Sequence, residues 1–301
     1  MSARIQHFKW FGFHTLVRRV FFDVTIINVE PLRVGAGRGA SVFEPTDLVV
    51  VKMRTADGRE APYIPGSSLK GVFRSYAVRL MRGAGLSVCG GVPGDTCLKG
   101  DEFYQYDRAR ASYETIIDSI ANGSIKTCLA CMIFGSPSLA SHARFYDAYV
   151  VGDYRLGYRT MIAIDRRTGV ARRGALFSVE FVEPGAKFNL RIEFVNTPNY
   201  AIGVVAEALM DMHNGLLKIG GFKTRGFGWV RIESLKVYGY DYASGGEFKD
   251  KIPGLDPIDS DVEIKSSWIE TLKNFANVWR SKIPVLKRIS ENGWKWYSCL
   301  E

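Results

Sequence analysis

Apolar and polar residues alternate strictly at Phe188, Leu190, Ile192 and Phe194, which predicts a strand with one buried face. The β-branched and aromatic run Phe21–Glu30 predicts another, as do Arg144–Val151 and Trp229–Tyr238. Leu48–Met53 and Ala61–Ile64 flank TADGRE, where Asp57-Gly58 signals a hairpin turn. The period changes after Pro65-Gly66-Ser67. Leu69, Val72, Phe73, Tyr76, Ala77 and Leu80 recur at helical spacing, with Ser67 or Ser68 as the expected cap and Gly83 or Gly85 as the stop. Further helices are expected near 109–121 and over 201–217, the latter with Val204, Ala208, Leu209 and Met212 inward. Residues 84–107 read as irregular, and 154–182 as a long hairpin turning at Arg-Thr-Gly.

Without its insertions the order is β, α, β, β, α, β. That predicts an α+β, ferredoxin-like (RRM-like) core carrying a cysteine-rich insertion at about 84–143 and a basic hairpin at about 154–182. Residues 1–242 form this unit, and 243–301 read as a C-terminal extension. In the extension, SSWIETLKNFANVWRSKI predicts an amphipathic helix. Its Trp268, Leu272, Phe275 and Trp279 face either another subunit or the chain's own domain.

With 47% apolar and 24% charged residues over 301 positions, the chain can bury a substantial core. No apolar run is long enough to span a bilayer, and the N-terminal residues lack the pattern of a secretory signal, so a cytoplasmic location is expected. The formal charge of +9 favours a polyanionic partner.

Four places carry candidate chemistry. The helix that opens at Gly66 brings Ser67, Ser68, Lys70 and Arg74 to its first turns, a set suited to phosphate; a capped helix with a solvated lysine is the alternative. The run 220–228 (GGFKTRGFG) combines glycines with Lys223 and Arg225, and Phe222 or Phe227 can stack on a base; a plain turn is the alternative. Cys89, Cys97, Cys128 and Cys131 have the composition of a closed four-sulfur zinc site, with His142 as a possible substitute and Cys299 as a bystander; buried free thiols or a redox pair are the alternative. Glu44 and Asp47 are loop acids able to hold a divalent ion or move a proton.

Taken together, PYIPGSSLKGVFRS (62–75), CLACMIFGS (128–136), DRRTGVARRGALFSVEFVEPG (165–185) and GGFKTRGFGWV (220–230) resemble the RAMP superfamily. The closest resemblance is to the backbone subunit of type III (Csm/Cmr-like) CRISPR RNA-guided effectors. It implies a subunit bound to crRNA, and to target single-stranded RNA, in a filament-like complex with other RAMP subunits or copies of itself. It assigns Ser67, Ser68, Lys70, Arg74, Gly221, Phe222, Lys223, Arg225 and Gly226 to guide RNA. It makes the hairpin bearing Arg166, Arg167, Arg172 and Arg173 a thumb that splays out a base, and the cysteines a structural Zn²⁺ insertion. It also implies that Asp47 cleaves target RNA with Mg²⁺ or Mn²⁺. A subunit that binds without cleaving, and a metal-independent guide-processing nuclease using His7 or His14, are the alternatives.

Overall fold

The computed structural model describes residues 5–35, 46–55, 58–97, 112–137 and 139–300. Glu44, Asp57, residues 36–41 of the first glycine-rich run and the start of the helix expected at 109 lie outside the described residues.

Twelve strands are described: β1 Arg18–Asn28, β2 Lys52–Arg54, β3 Glu60–Ile64, β4 Ala143–Phe145, β5 Ala148–Val151, β6 Leu156–Ile164, β7 Ala171–Val182, β8 Lys187–Val195, β9 Val230–Asp241, β10 Gly246–Glu247, β11 Lys251–Ile252 and β12 Val262–Glu263. The helices are α1 Gly66–Gly83, α2 Tyr113–Ala121, α3 Leu129–Phe134, α4 Asn199–His213 and α5 Trp268–Glu291. The main sheet has the order β10-β9-β1-β8-β5-β3-β2, with β4 also paired to β8, and every pairing in it is antiparallel. In β1 the burial alternates along all eleven residues, with Val20, Phe22, Val24 and Ile26 inward. Phe188, Leu190, Ile192 and Phe194 of β8 are buried as the alternation predicts. The hairpin of β6 and β7 forms a separate two-stranded sheet whose outer half is exposed on both faces.

The sequence NYAIGVVAEALM is apolar nearly all round, and α4 is correspondingly buried on nearly every side. One side faces the sheet and the other is covered by α5. A Cβ on Gly203 would lie 2.3 Å from the Phe275 carbonyl oxygen, so the two helices approach as closely as glycine allows. Leu272, Phe275 and Trp279 are therefore buried within this chain and offer no surface to another subunit. Trp268, half-buried, meets the His213 ring edge-on at 5.2 Å. Phe275 also packs edge-on against Phe22 of β1, 5.5 Å between centroids. Phe275→Ala is expected to cost about 3–5 kcal/mol in chemical denaturation, the price of an aromatic-sized cavity; a loss below 1 kcal/mol would mean that the helix is loosely attached.

A buried polar knot fastens the extension. Arg18 donates to the carbonyls of Thr197 and Pro253 and to Asn199 Oδ1, while Tyr200 donates its hydroxyl to Asp256 at 2.8 Å. Burial, then repulsion from Asp259, pushes the Asp256 carboxyl up from 3.8 to about 7. A carboxyl that holds its proton more tightly in the folded state stabilises the fold at low pH, and that contribution is lost as pH rises through about 7. Thermal stability is thus expected to decline from about pH 4 to about pH 7, and Asp256→Asn to flatten the decline. Parallel melting profiles for the two proteins would refute this.

Candidate nucleic-acid groove and cysteine centre

Two adjoining clefts, about 650 and about 570 Å³, share Ser67 and Gly71 and so form one groove across the outer face of α1. One end is lined by Arg33, Leu48, Gly220, Gly221 and Lys223, the other by Lys70, Arg74, residues 134–137 and residues 139–141. The small residues Ser67, Gly71 and Ser75 leave this face of the helix low, while Leu69, Phe73, Ala77 and Met81 face the core.

The start of α1 differs from expectation. Neither serine caps it: the cap residue is Pro65, whose carbonyl accepts the N–H groups of Ser68 and Leu69. The Gly66 N–H donates to Asp147 Oδ1 at 2.7 Å, and a Cβ at Gly66 would strike the Phe145 carbonyl oxygen at 2.3 Å. The β4–β5 connection crosses the helix end, so the chain's own carboxylate takes the first N–H that a phosphate would use. What remains for an anion is the exposed Ser67, the half-buried Ser68 and Lys70. Burial first, and the adjacent Arg74 charge second, lower the Lys70 pKa.

The second glycine-rich run folds back on the chain after β1. A Cβ at Gly220 would lie 2.4 Å from the Arg33 carbonyl oxygen, and one at Gly228 2.2 Å from that of Ile219, each at positive φ. These two glycines admit the chain's own backbone, whereas Gly226 has open space around it. The aromatic pair also divides. Phe227 is fully buried, edge-on to Phe181 and beneath Arg159. Phe222 is half-buried in a left-handed conformation (φ 56), stacked with Phe177 at 6.5 Å and flanked by Arg33 and Arg225. Lys223 and Arg225 are exposed. Arg33 was not foreseen: it is a single arginine without a motif. Its Nε is buried and has no hydrogen-bond partner among the described residues, and burial lowers its pKa.

Asp47 adjoins the cleft residue Leu48. It is exposed and tethered to β7. Its Oδ2 accepts the Ser178 N–H at 2.7 Å and the Ser178 hydroxyl at 3.0 Å, and its own N–H donates to Ser178 Oγ. These bonds, the Ser178 backbone N–H first, hold its carboxyl below the ordinary range. Among the described residues Oδ1 accepts no hydrogen bond, which leaves one oxygen for an ion or a substrate hydroxyl. Behind it Glu180, buried, accepts from Lys52 Nζ at 2.8 Å and the Val50 N–H at 2.9 Å, fixing residues 47–52 along β7. Arg166, Arg167, Arg172 and Arg173 are exposed on the outer hairpin, where Asp165 closes the turn through the N–H groups of Arg167 and Thr168.

The four cysteines converge. Cys128 caps α3, Cys131 lies in its first turn, and Cys89 and Cys97 flank a tight turn after α1. All four sulfurs lie within 4.8 Å of one another, with Cys89 3.6 Å from Cys128 and 3.1 Å from Cys131. A tetrahedral Zn–S bond of about 2.3 Å requires sulfurs about 3.8 Å apart, so the donor set fits zinc; a disulfide requires about 2 Å. Hydrogen bonds from Cys128 and Cys131 push the Cys89 thiol down, while those to Cys131 and Cys89, with burial, push Cys128 far up. His142 is not in the cluster; its Nδ1 lies 2.8 Å from the Val195 carbonyl oxygen, and burial lowers its pKa to about 4. Cys299 stands outside the cluster. His14 stacks on Tyr113 in an apolar recess that shares Leu139 with the Lys70 end of the groove.

No described helix is long and apolar enough to cross a membrane. No curated protein matches the chain. The family profile described as the RAMP superfamily matches residues 25–231, a span that takes in the groove, Asp47, the hairpin and all four clustered cysteines. The chain belongs to the RAMP superfamily.

Proposed function

We propose that the chain is the crRNA-binding backbone subunit of a type III CRISPR effector and cleaves guide-paired target RNA through Asp47. Family membership supports a CRISPR-associated, RNA-binding role with contacts to other subunits. The run β9-β1-β8-β5, with α1 and α4 as crossovers, supports a ferredoxin-like core within residues 1–242, with 243–301 as its brace. The observation that carries the reading is the continuous groove over α1, lined by Ser67, Ser68, Lys70 and Lys223 and ending beside Asp47 at the hairpin base.

In this reading the groove holds the guide backbone through side chains and does not distinguish sequence, because phosphate contacts position and do not specify. Phe222, between two guanidinium groups, offers a face on which a base can stack. Target sequence is read by pairing to the guide. The hairpin arginines lie along the duplex, and Asp47, tied to the same hairpin through Ser178, meets the strand where the hairpin enters it.

Mg²⁺ typically keeps several waters and takes one or two carboxylates plus phosphate oxygens, so a single free Asp47 oxygen facing an RNA backbone fits it. Such an ion, or Mn²⁺, would supply charge neutralisation at the scissile phosphate. A carboxylate held below its ordinary pKa is a weak base, which favours Asp47 as the holder of a cation or the orienter of a 2′-hydroxyl over a proton acceptor.

Guide-RNA affinity measured against salt tests the groove. Lys70→Ala and Lys223→Ala are each expected to weaken binding uniformly across guide sequences and to reduce the salt slope by about one. Unchanged slopes in both would remove the groove from the guide path.

A further inference from the structure

The arginine on α1 points away from the role that its position suggests. Arg74 Nη1 donates to the Gly135 carbonyl oxygen at 2.8 Å, and Nη2 lies 3.8 Å from Cys131 Sγ, within reach of a sulfur acceptor. Its guanidinium also lies flat against Gly91, where an added Cβ would come within 1.9 Å of Nη2. Gly91 belongs to the loop between Cys89 and Cys97, and Gly135 ends the helix that carries Cys131. One side chain thus touches both halves of the cysteine centre. Among the described residues no carboxylate pairs with it, and its neighbour Lys70 carries the same sign.

Charge accounts for this arrangement. Four thiolates around Zn²⁺ carry a net charge of −2, whereas four thiols are neutral. A guanidinium with no carboxylate partner, set against one of the sulfurs, is the counter-ion that a loaded centre requires and an empty one does not. Such outer contacts fix ligands and adjust their donor strength.

We infer that Arg74 is a positioning residue of the cysteine metal centre and not a guide-RNA contact, and that metal loading holds it out of the groove it borders. The inference rests on the cysteines' holding a metal. It departs from the sequence-based expectation in removing Arg74 from the RNA-binding set. Because Arg74, Gly91 and Gly135 line the same cleft as Ser67 and Lys70, the metal centre forms the wall of that part of the groove.

The test uses the full chain. Co²⁺ replaces zinc, and the thiolate-to-cobalt absorption band is recorded for wild type, Arg74→Gln and Arg74→Lys. Zinc affinity is measured by chelator competition, and guide-RNA affinity on zinc-loaded protein, with Lys70→Gln alongside. Arg74→Gln is expected to shift the cobalt band and weaken zinc by about 10–100-fold. Arg74→Lys should recover part of the affinity, and RNA binding by loaded Arg74→Gln should stay within twofold of wild type while Lys70→Gln falls. An unchanged band and zinc affinity in Arg74→Gln, or a loss of RNA binding equal to that of Lys70→Gln, would overturn the assignment. No cobalt spectrum in wild type would overturn the metal centre itself. If Arg74→Gln does not fold, the Arg74→Lys band decides, since lysine keeps the charge and loses the two-point contact.

Discussion

In a guide-loaded complex supplied with Mg²⁺ or Mn²⁺, Asp47→Ala is expected to lower target-RNA cleavage by about 10²–10⁴-fold and to leave guide binding unchanged. The expectation follows from the position of the carboxylate. One oxygen is anchored by Ser178 and the other accepts no hydrogen bond among the described residues. Asp47→Asn retains an acceptor for Ser178 and removes the charge, so it should lose cleavage nearly as fully; retention of activity there would mean that the residue only orders the loop. The pH profile gives a second check. The Ser178 N–H and hydroxyl keep the carboxyl ionised below its ordinary value of 3.8, so its protonation should not limit cleavage in mildly acidic buffer. Ser178→Ala should move any acidic limb upward, because it removes the hydroxyl that helps to hold the charge. Full cleavage by Asp47→Ala would assign the chemistry elsewhere, with Glu44 the next acid to replace. Absence of cleavage in wild type, with tight guide binding, would leave a structural subunit.

If the cysteine centre holds zinc as proposed, chelation is expected to lower the melting temperature by on the order of 10 °C, because the energy of metal binding to the folded chain is then lost. Cys89 and Cys97 lie on a loop without helix or strand, whereas all six residues of α3 are buried in the core, so the loop is expected to loosen first. Cys128→Ser should reproduce the loss and abolish stoichiometric zinc, whereas Cys299→Ser should do neither. Elemental analysis with melting curves, with and without chelator, reads both effects. A chain free of zinc and indifferent to chelator would sink the proposal.

The groove and the centre were legible in the sequence to different degrees. Strand and helix periods marked β1, β8 and α1 because each buries one continuous face, and burial acts on every second or every third to fourth residue. The C-x2-C pair and its distant partners marked the centre because thiolate chemistry restricts which residues can serve. The arginine-rich hairpin was visible because its turn residues and charges are local. In each case the physical cause lies within a few residues of its trace.

Where the cause was a contact between distant segments, the sequence was silent or misleading. Ser67 and Ser68 look like caps, yet the crossing of β4 and β5 brings Asp147 to the Gly66 N–H from eighty-one positions away. Gly220 and Gly228 look like ligand-facing glycines, yet Arg33 and Ile219 backbone fills that space. Phe222 and Phe227 are alike in the motif, but Phe181 buries one and leaves the other beside the cleft. The apolar face of α5 fits an intersubunit contact until α4 is seen beneath it. Arg74 reads as an RNA contact until the fold turns it onto Cys131. By itself the sequence determined most of the long strands and helices, which residues supply thiolate, carboxylate and positive charge, and the family to which they belong. Tertiary structure alone decided which of those groups remain free to act, because a hydrogen-bond donor or a charge is available to a ligand only when no distant part of the same chain has already taken it.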